Sequence, residues 1–138
     1  MTPPPAPRPA RRLAWLLPAL GYAAIIFWLS SQPNPLPFMP KAFWTSDKLL
    51  HAVEYAGFAL VVTWGLDHVA RTGPKTAALL AVVVGAFYGL TDEIHQSFVP
   101  NRSADVRDWV ADVAGASLGA LLAVAFLRHR RARASIRA

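Results

Sequence analysis

The sequence predicts an all-α membrane protein: a bundle of four transmembrane helices with both termini in the cytoplasm. Three observations predict it. Of 138 residues, 54% are hydrophobic and only 16% are charged, against about a quarter charged in ordinary soluble domains. The apolar residues gather in four stretches, 13–31, 49–66, 76–94 and 109–127, each near the ~20 residues that a bilayer-crossing helix needs. With the N-terminus inside, ten of the 14 Lys and Arg residues fall in cytoplasmic segments, which obeys the positive-inside rule. A soluble bundle is the competing reading, but 118–127 is apolar on every side and would be hard to bury in so small a domain.

The elements follow in order. Residues 1–12 carry prolines at 3, 4, 5, 7 and 9 and are expected to form a disordered basic leader, because proline cannot donate to a helix. The stretch 13–31 is free of charge. Ser30-Ser31-Gln32-Pro33 lacks a small-x-small cleavage pattern, so this helix reads as an uncleaved anchor. Pro18 falls in its first two turns, where a proline is tolerated. The segment 32–46 holds four prolines with Phe38, Phe43 and Trp44 and is expected to lie at headgroup depth. Asp47 opens helix 2, Gly73-Pro74 breaks the chain before helix 3, and helix 4 is expected to begin near Asp108. Residues 13–127 make up the transmembrane domain. Residues 128–138 form an Arg-rich cytoplasmic tail, read as frayed. Gly85/Gly89 and Gly115/Gly119 stand at GxxxG spacing and predict close helix contact.

The net charge of +6 is a topology signal with affinity for anionic lipid heads; no nucleic-acid role is assigned. The chain has no cysteine, which excludes disulfides and thiol chemistry.

Helical spacing gathers the polar residues of three spans. One stripe on helix 2 holds Asp47, His51 and Tyr55, with Lys48 and Glu54 beside it. On helix 3 the stripe is Tyr88, Asp92 and Gln96, with Glu93 adjacent. Helix 4 contributes Asp108, Asp112, Gly115 and Gly119 on one face. Glu54 and Asp112 then lie roughly 10 and 6 Å inward from the outer helix ends. The three sets therefore converge in the outer leaflet, where ionisable groups are costly and need partners or a task. They can satisfy one another: Arg102 or Arg107 with Asp92 or Glu93, and Lys48 with an acid on helix 4. They can also do chemistry. His51 or His95 with Asp92 or Glu93 would make an acid–base pair. Asp92, Glu93, Asp108 and Asp112 would hold a hard divalent cation against a substrate phosphate, with Arg102 on the phosphate oxygens. No HExxH, GxSxG or phosphate loop occurs, so no metal, cofactor or turnover is assigned.

The string Asp92-Glu93-Ile94-His95-Gln96-Ser97-Phe98-Val99-Pro100-Asn101-Arg102, with Asp108, Asp112, Gly115 and Gly119 after it, resembles the VanZ-like family pattern DExxQxFxPxR…Dxxx[ND]xxG. Asp47-Lys48-Leu49-Leu50-His51, with Tyr55 and Phe58, is similar to the family's DKxxHxxxYxxF segment. Asp112 stands where many members carry asparagine, which alters the local charge. The resemblance implies a small integral membrane protein. The family's namesake is associated with low-level teicoplanin resistance, hence with the cell envelope. No settled reaction, substrate or cofactor comes with it.

The sequence thus leads to a multi-pass protein of the inner cell membrane with a polar pocket at the outer leaflet. The pocket would comprise Asp47, Lys48, His51, Glu54, Tyr55, Tyr88, Asp92, Glu93, Gln96, Arg102, Asp108 and Asp112. Its expected partners are membrane lipids, and its ligand an envelope lipid or a glycopeptide-related molecule. The alternative is a non-catalytic structural or partner-binding module whose polar cluster locks the helices.

Overall fold

The computed structural model describes residues 12–33 and 47–137. All of the leader but Arg12, and most of the 32–46 segment, lie outside the described residues. Among the described residues there are four helices: α1 (Ala14–Ser30), α2 (Asp47–Ala70), α3 (Pro74–Gln96) and α4 (Val106–Ile136). Helices α2, α3 and α4 are long and apolar enough to cross a membrane; α1 is apolar but shorter.

Local chemistry sets the boundaries. Helix α1 opens with a 3-10 turn at Ala14–Leu16 before continuing as α-helix over Leu17–Ser30. Pro18 explains the tighter turn, because its ring excludes the carbonyl of the residue four positions back and it donates no N–H. Between α2 and α3 the chain reverses through two residues at positive φ, Arg71 at 55° and Gly73 at 96°, and Pro74 then starts α3. Between α3 and α4 the Arg102 N–H closes a turn on the Val99 carbonyl at 3.1 Å. Pro100 and Asn101 occupy its centre, with Asn101 at φ 64°, the residue types that a proline-led turn with a left-handed third position selects.

Helix α4 differs from expectation at both ends. It starts at Val106, capped by Asp105, whose side chain accepts the Arg107 N–H at 2.8 Å. Asp105 takes the cap, and Asp108 falls in the first turn. At the other end the helix runs on to Ile136, so the Arg-rich tail expected to fray is helical. Alanine and arginine are strong helix formers, and five arginines in the tail meet no helix breaker. At 1.5 Å per residue α4 is ~46 Å long, which exceeds the ~30 Å hydrocarbon layer by several turns.

The packing is inverted relative to a soluble protein. Leu79, Phe87 and Leu121 are each about two-thirds exposed, while Asp112 and Tyr55 are fully buried. Large apolar side chains on the outside and small or polar ones inside suit a hydrocarbon solvent, not water. The interior between α2, α3 and α4 is built largely from Ala59, Ala81, Ala116 and Ala120, and α1 packs on α2 and α3. A Cβ on Gly115 would collide with the Ala52 carbonyl of α2, and one on Gly119 with that of Ala56. That pair lets α4 lie directly on the α2 backbone. Gly85 and Gly89 likewise bring α3 against Ala116 and Asp112 of α4.

Candidate functional site

The start of α2, the end of α3 and the start of α4 meet at one end of the bundle, and there the polar stripes come together. His51 is 5% exposed and Asp112 is fully buried. The His51 Nδ1 lies 2.9 Å from Asp112 Oδ1, joining α2 to α4. One turn toward the surface, Lys48 Nζ donates to Asp108 at 2.7 Å and to Asp105 at 3.2 Å. The expected pairing of Lys48 with an acid of helix 4 is therefore met.

On α3 the spacing of four places Gln96 above Asp92. Gln96 Nε2 donates to Asp92 Oδ2 at 2.8 Å. Its carbonyl oxygen accepts from Arg102 through Nη2 at 2.7 Å and Nε at 3.2 Å. Arg102 therefore meets Gln96, not the carboxylates it was expected to pair with, because the turn at Pro100–Asn101 returns it over the end of its own helix. Glu93, also buried, accepts the Asp105 N–H on Oε2 at 2.7 Å, tying the end of α3 to the cap of α4.

Three carboxylate oxygens in this cluster are buried with no hydrogen-bond partner among the described residues: Glu54 Oε1, Glu93 Oε1 and Asp112 Oδ2. The Tyr55 hydroxyl is buried in the same unpartnered state. His51, Glu93 and Asp112 each offer a ligand atom within 4.8 Å of the others, and Asp47, His51 and Asp108 form a second such group nearer the surface. This donor set, one imidazole with carboxylates from three helices, differs from the all-carboxylate set drawn from the sequence. Mixed nitrogen and oxygen donors suit Zn²⁺ or another first-row divalent ion better than Mg²⁺, which takes oxygen ligands.

One expected pocket member, Tyr88, and one acid–base candidate, His95, turn toward α1. The Tyr88 hydroxyl donates to the Ala23 carbonyl of α1 at 2.7 Å, and its ring stacks near Phe58 at 5.3 Å. It anchors α1. His95 lies 3.0 Å from the Ser31 hydroxyl and stacks on Phe27; it too faces the α1 side, two positions past Glu93 in the chain. Asp105 is the residue that the sequence reading missed. An acid preceding an apolar run, with a second acid three positions on, is the signature of a helix N-cap. Its carboxyl is held below the ordinary value by the Arg107 N–H and then by the Lys48 ammonium.

Buried carboxylates from α3 and α4, an imidazole and a partly buried carboxylate from α2, and small-residue helix contacts define a helical membrane protein with an ionisable cluster at one end. The VanZ/LLP1 family profile matches residues 6–128, and the chain belongs to that family. It is similar to a Schizosaccharomyces pombe protein named "Uncharacterized protein C11E3.10", with 35% identity over 111 residues, 80% of this chain. The chain spans 65% of that relative's length. No solved structure matches the chain.

Proposed function

We propose that this protein binds and acts on the phosphate-bearing head group of a cell-envelope lipid at the polar cluster. A divalent cation held by His51, Glu93 and Asp112 would receive the phosphate. The unpartnered oxygens of Glu54, Glu93 and Asp112 carry the reading. Glu54, Asp92, Glu93, Asp108 and Asp112 face Lys48, Arg102 and the His51 imidazole as their cationic groups among the described residues, five carboxylates to three bases. A buried carboxylate without partners is expensive, and an anionic cluster by itself repels a phosphate. A bound divalent cation answers both, and supplies Lewis acidity toward a phosphoryl oxygen. Arg102 at the rim is then placed to meet the same anion, since guanidinium and phosphate match in geometry. The cluster faces the outer leaflet if the arginine-rich end is cytoplasmic, as the positive-inside rule directs.

The test uses the full-length protein in detergent, with metal content measured after dialysis and co-purified lipids read by mass spectrometry. The intact protein is expected to keep about one divalent ion and a phosphorylated lipid class. Glu93→Gln should lose the ion and the lipid together while remaining folded. A folded variant that loses the ion yet keeps every lipid class bound by the intact protein would sink the reading.

The rival, a structural lock, is favoured by the hydrogen bonds that already join α2 to α4 through Asp112 and Asp108. It expects the same substitution to lower stability and abundance with no separate loss of lipid.

A further inference from the structure

The opposite end of the bundle carries a second polar site, which the reading above does not use. A cavity of about 460 Å³ opens there between the residues preceding α1, the end of α2 and the last turns of α4. Arg12, Arg71, Arg130 and Arg131 line it, with Trp15 and a single carboxylate, Asp67. Asp67 is buried, and its Oδ2 accepts from Arg131 Nη2 at 2.6 Å. That pair consumes one guanidinium. Among the described residues the other three have no carboxylate partner in the cavity, and the Arg12 Nε is buried without a hydrogen-bond partner.

Two further observations point to an anion. Arg71 sits at φ 55° just beyond the end of α2, a position where glycine is usual because a side chain crowds the backbone there. The chain accepts that crowding and sets a guanidinium at the cavity. Four guanidinium groups around one hollow also repel one another, and in a weakly screened site this is relieved by a counter-ion. Guanidinium groups converging from separate elements match a phosphate's oxygens.

The surroundings indicate where that phosphate comes from. Leu13 and Leu17 on the α1 flank are more than half exposed, and Trp15 is partly exposed beside them. Arg130 lies over the exposed Phe126 ring at 5.8 Å. The cavity mouth therefore lies where lipid-facing apolar surface gives way to charge, the level at which headgroups sit.

We infer that this cavity is a binding site for a phosphate ester, supplied by the head group of an anionic phospholipid whose acyl chains lie along the apolar flanks of α1 and α4. The site is independent of the acidic cluster, and Glu93→Gln leaves it intact.

The test compares the full-length protein with Arg71→Gln/Arg130→Gln. Both positions lie outside the Asp67–Arg131 pair, so the buried carboxylate keeps its partner. Native mass spectrometry from nanodiscs would count phosphatidylglycerol retained against phosphatidylcholine. A parallel arm would follow thermal stabilisation by glycerol 3-phosphate in lipid-free detergent. The expected result is selective retention of phosphatidylglycerol, weakened roughly thirty-fold by loss of the two charges. Stabilisation by glycerol 3-phosphate alone, abolished in the variant, would support the site with a soluble source. Arg133→Gln/Arg137→Gln removes equal charge from the tail outside the cavity. If it weakens retention as much as the first pair does, or if the first pair changes neither readout, the inference is overturned.

Discussion

His51 and Asp112 give up their contact with water to face each other at 2.9 Å, and Asp112 is fully enclosed. Removing one partner of such a pair strands the other. His51→Ala should therefore destabilise the protein by about 3–5 kcal/mol, measured by denaturant unfolding in detergent. Asp112→Asn, which keeps a hydrogen-bond acceptor for the imidazole, should cost less. A His51→Ala variant as stable as the parent would show that the pair holds nothing. Asp105 sets a pH dependence of known sign. Its folded-state carboxyl titrates below the ordinary value, so the stability it contributes is present above that value, about 3.9, and is lost as pH falls through the lower one. The stability gap between the parent and Asp105→Asn should accordingly close on acidification; a gap constant with pH would contradict the assignment. The helical stripes and the partner of Lys48 were legible at this scale because periods of three and four residues decide which side chains share a face. The partners of Arg102, Tyr88 and His95 were not. Each depends on how a turn or a neighbouring helix returns in space.

Among the elements, α4 decides the most. It meets α2 through Gly115 and Gly119, where a Cβ would strike the carbonyls of Ala52 and Ala56. Gly119→Leu should push the helices apart, lowering stability by at least 1–3 kcal/mol and separating Asp112 from His51. Ala114→Leu, on the exposed face of the same helix, should be nearly neutral. Equal effects of the two substitutions, by unfolding or by yield of folded protein, would refute the close contact. The GxxxG spacing announced this contact, but not its partner: spacing names a face and leaves open which helix covers it. The extent of α4 was also hidden, because arginines that read as a loose tail extend a helix equally well once it protrudes beyond the bilayer.

For the whole molecule, length and alternating charge bear on orientation. The protein has no cysteine, so single cysteines can be placed without interference. Ser103→Cys, in the turn before α4, should react with a membrane-impermeant maleimide added outside intact cells. Ser135→Cys, near the end of α4, should react only after the cells are opened. The reverse pattern would invert the bundle, and with it the leaflet assigned to the acidic cluster.

Read alone, the chain determined the helical class, the approximate spans, the glycine contact faces and the residues sharing the acidic end. These are set by local periodicity and by the cost of placing polar groups in hydrocarbon, both of which are written in the order of residues. Only the tertiary structure decided that His51 meets Asp112, that Arg102 serves Gln96, and that three carboxylate oxygens of the acidic cluster have no partner among the described residues. The tertiary structure also revealed the arginine cavity, whose members stand as far apart in sequence as Arg12 and Arg131. Contacts of that range depend on the angles and offsets at which helices pack, and no local pattern encodes them.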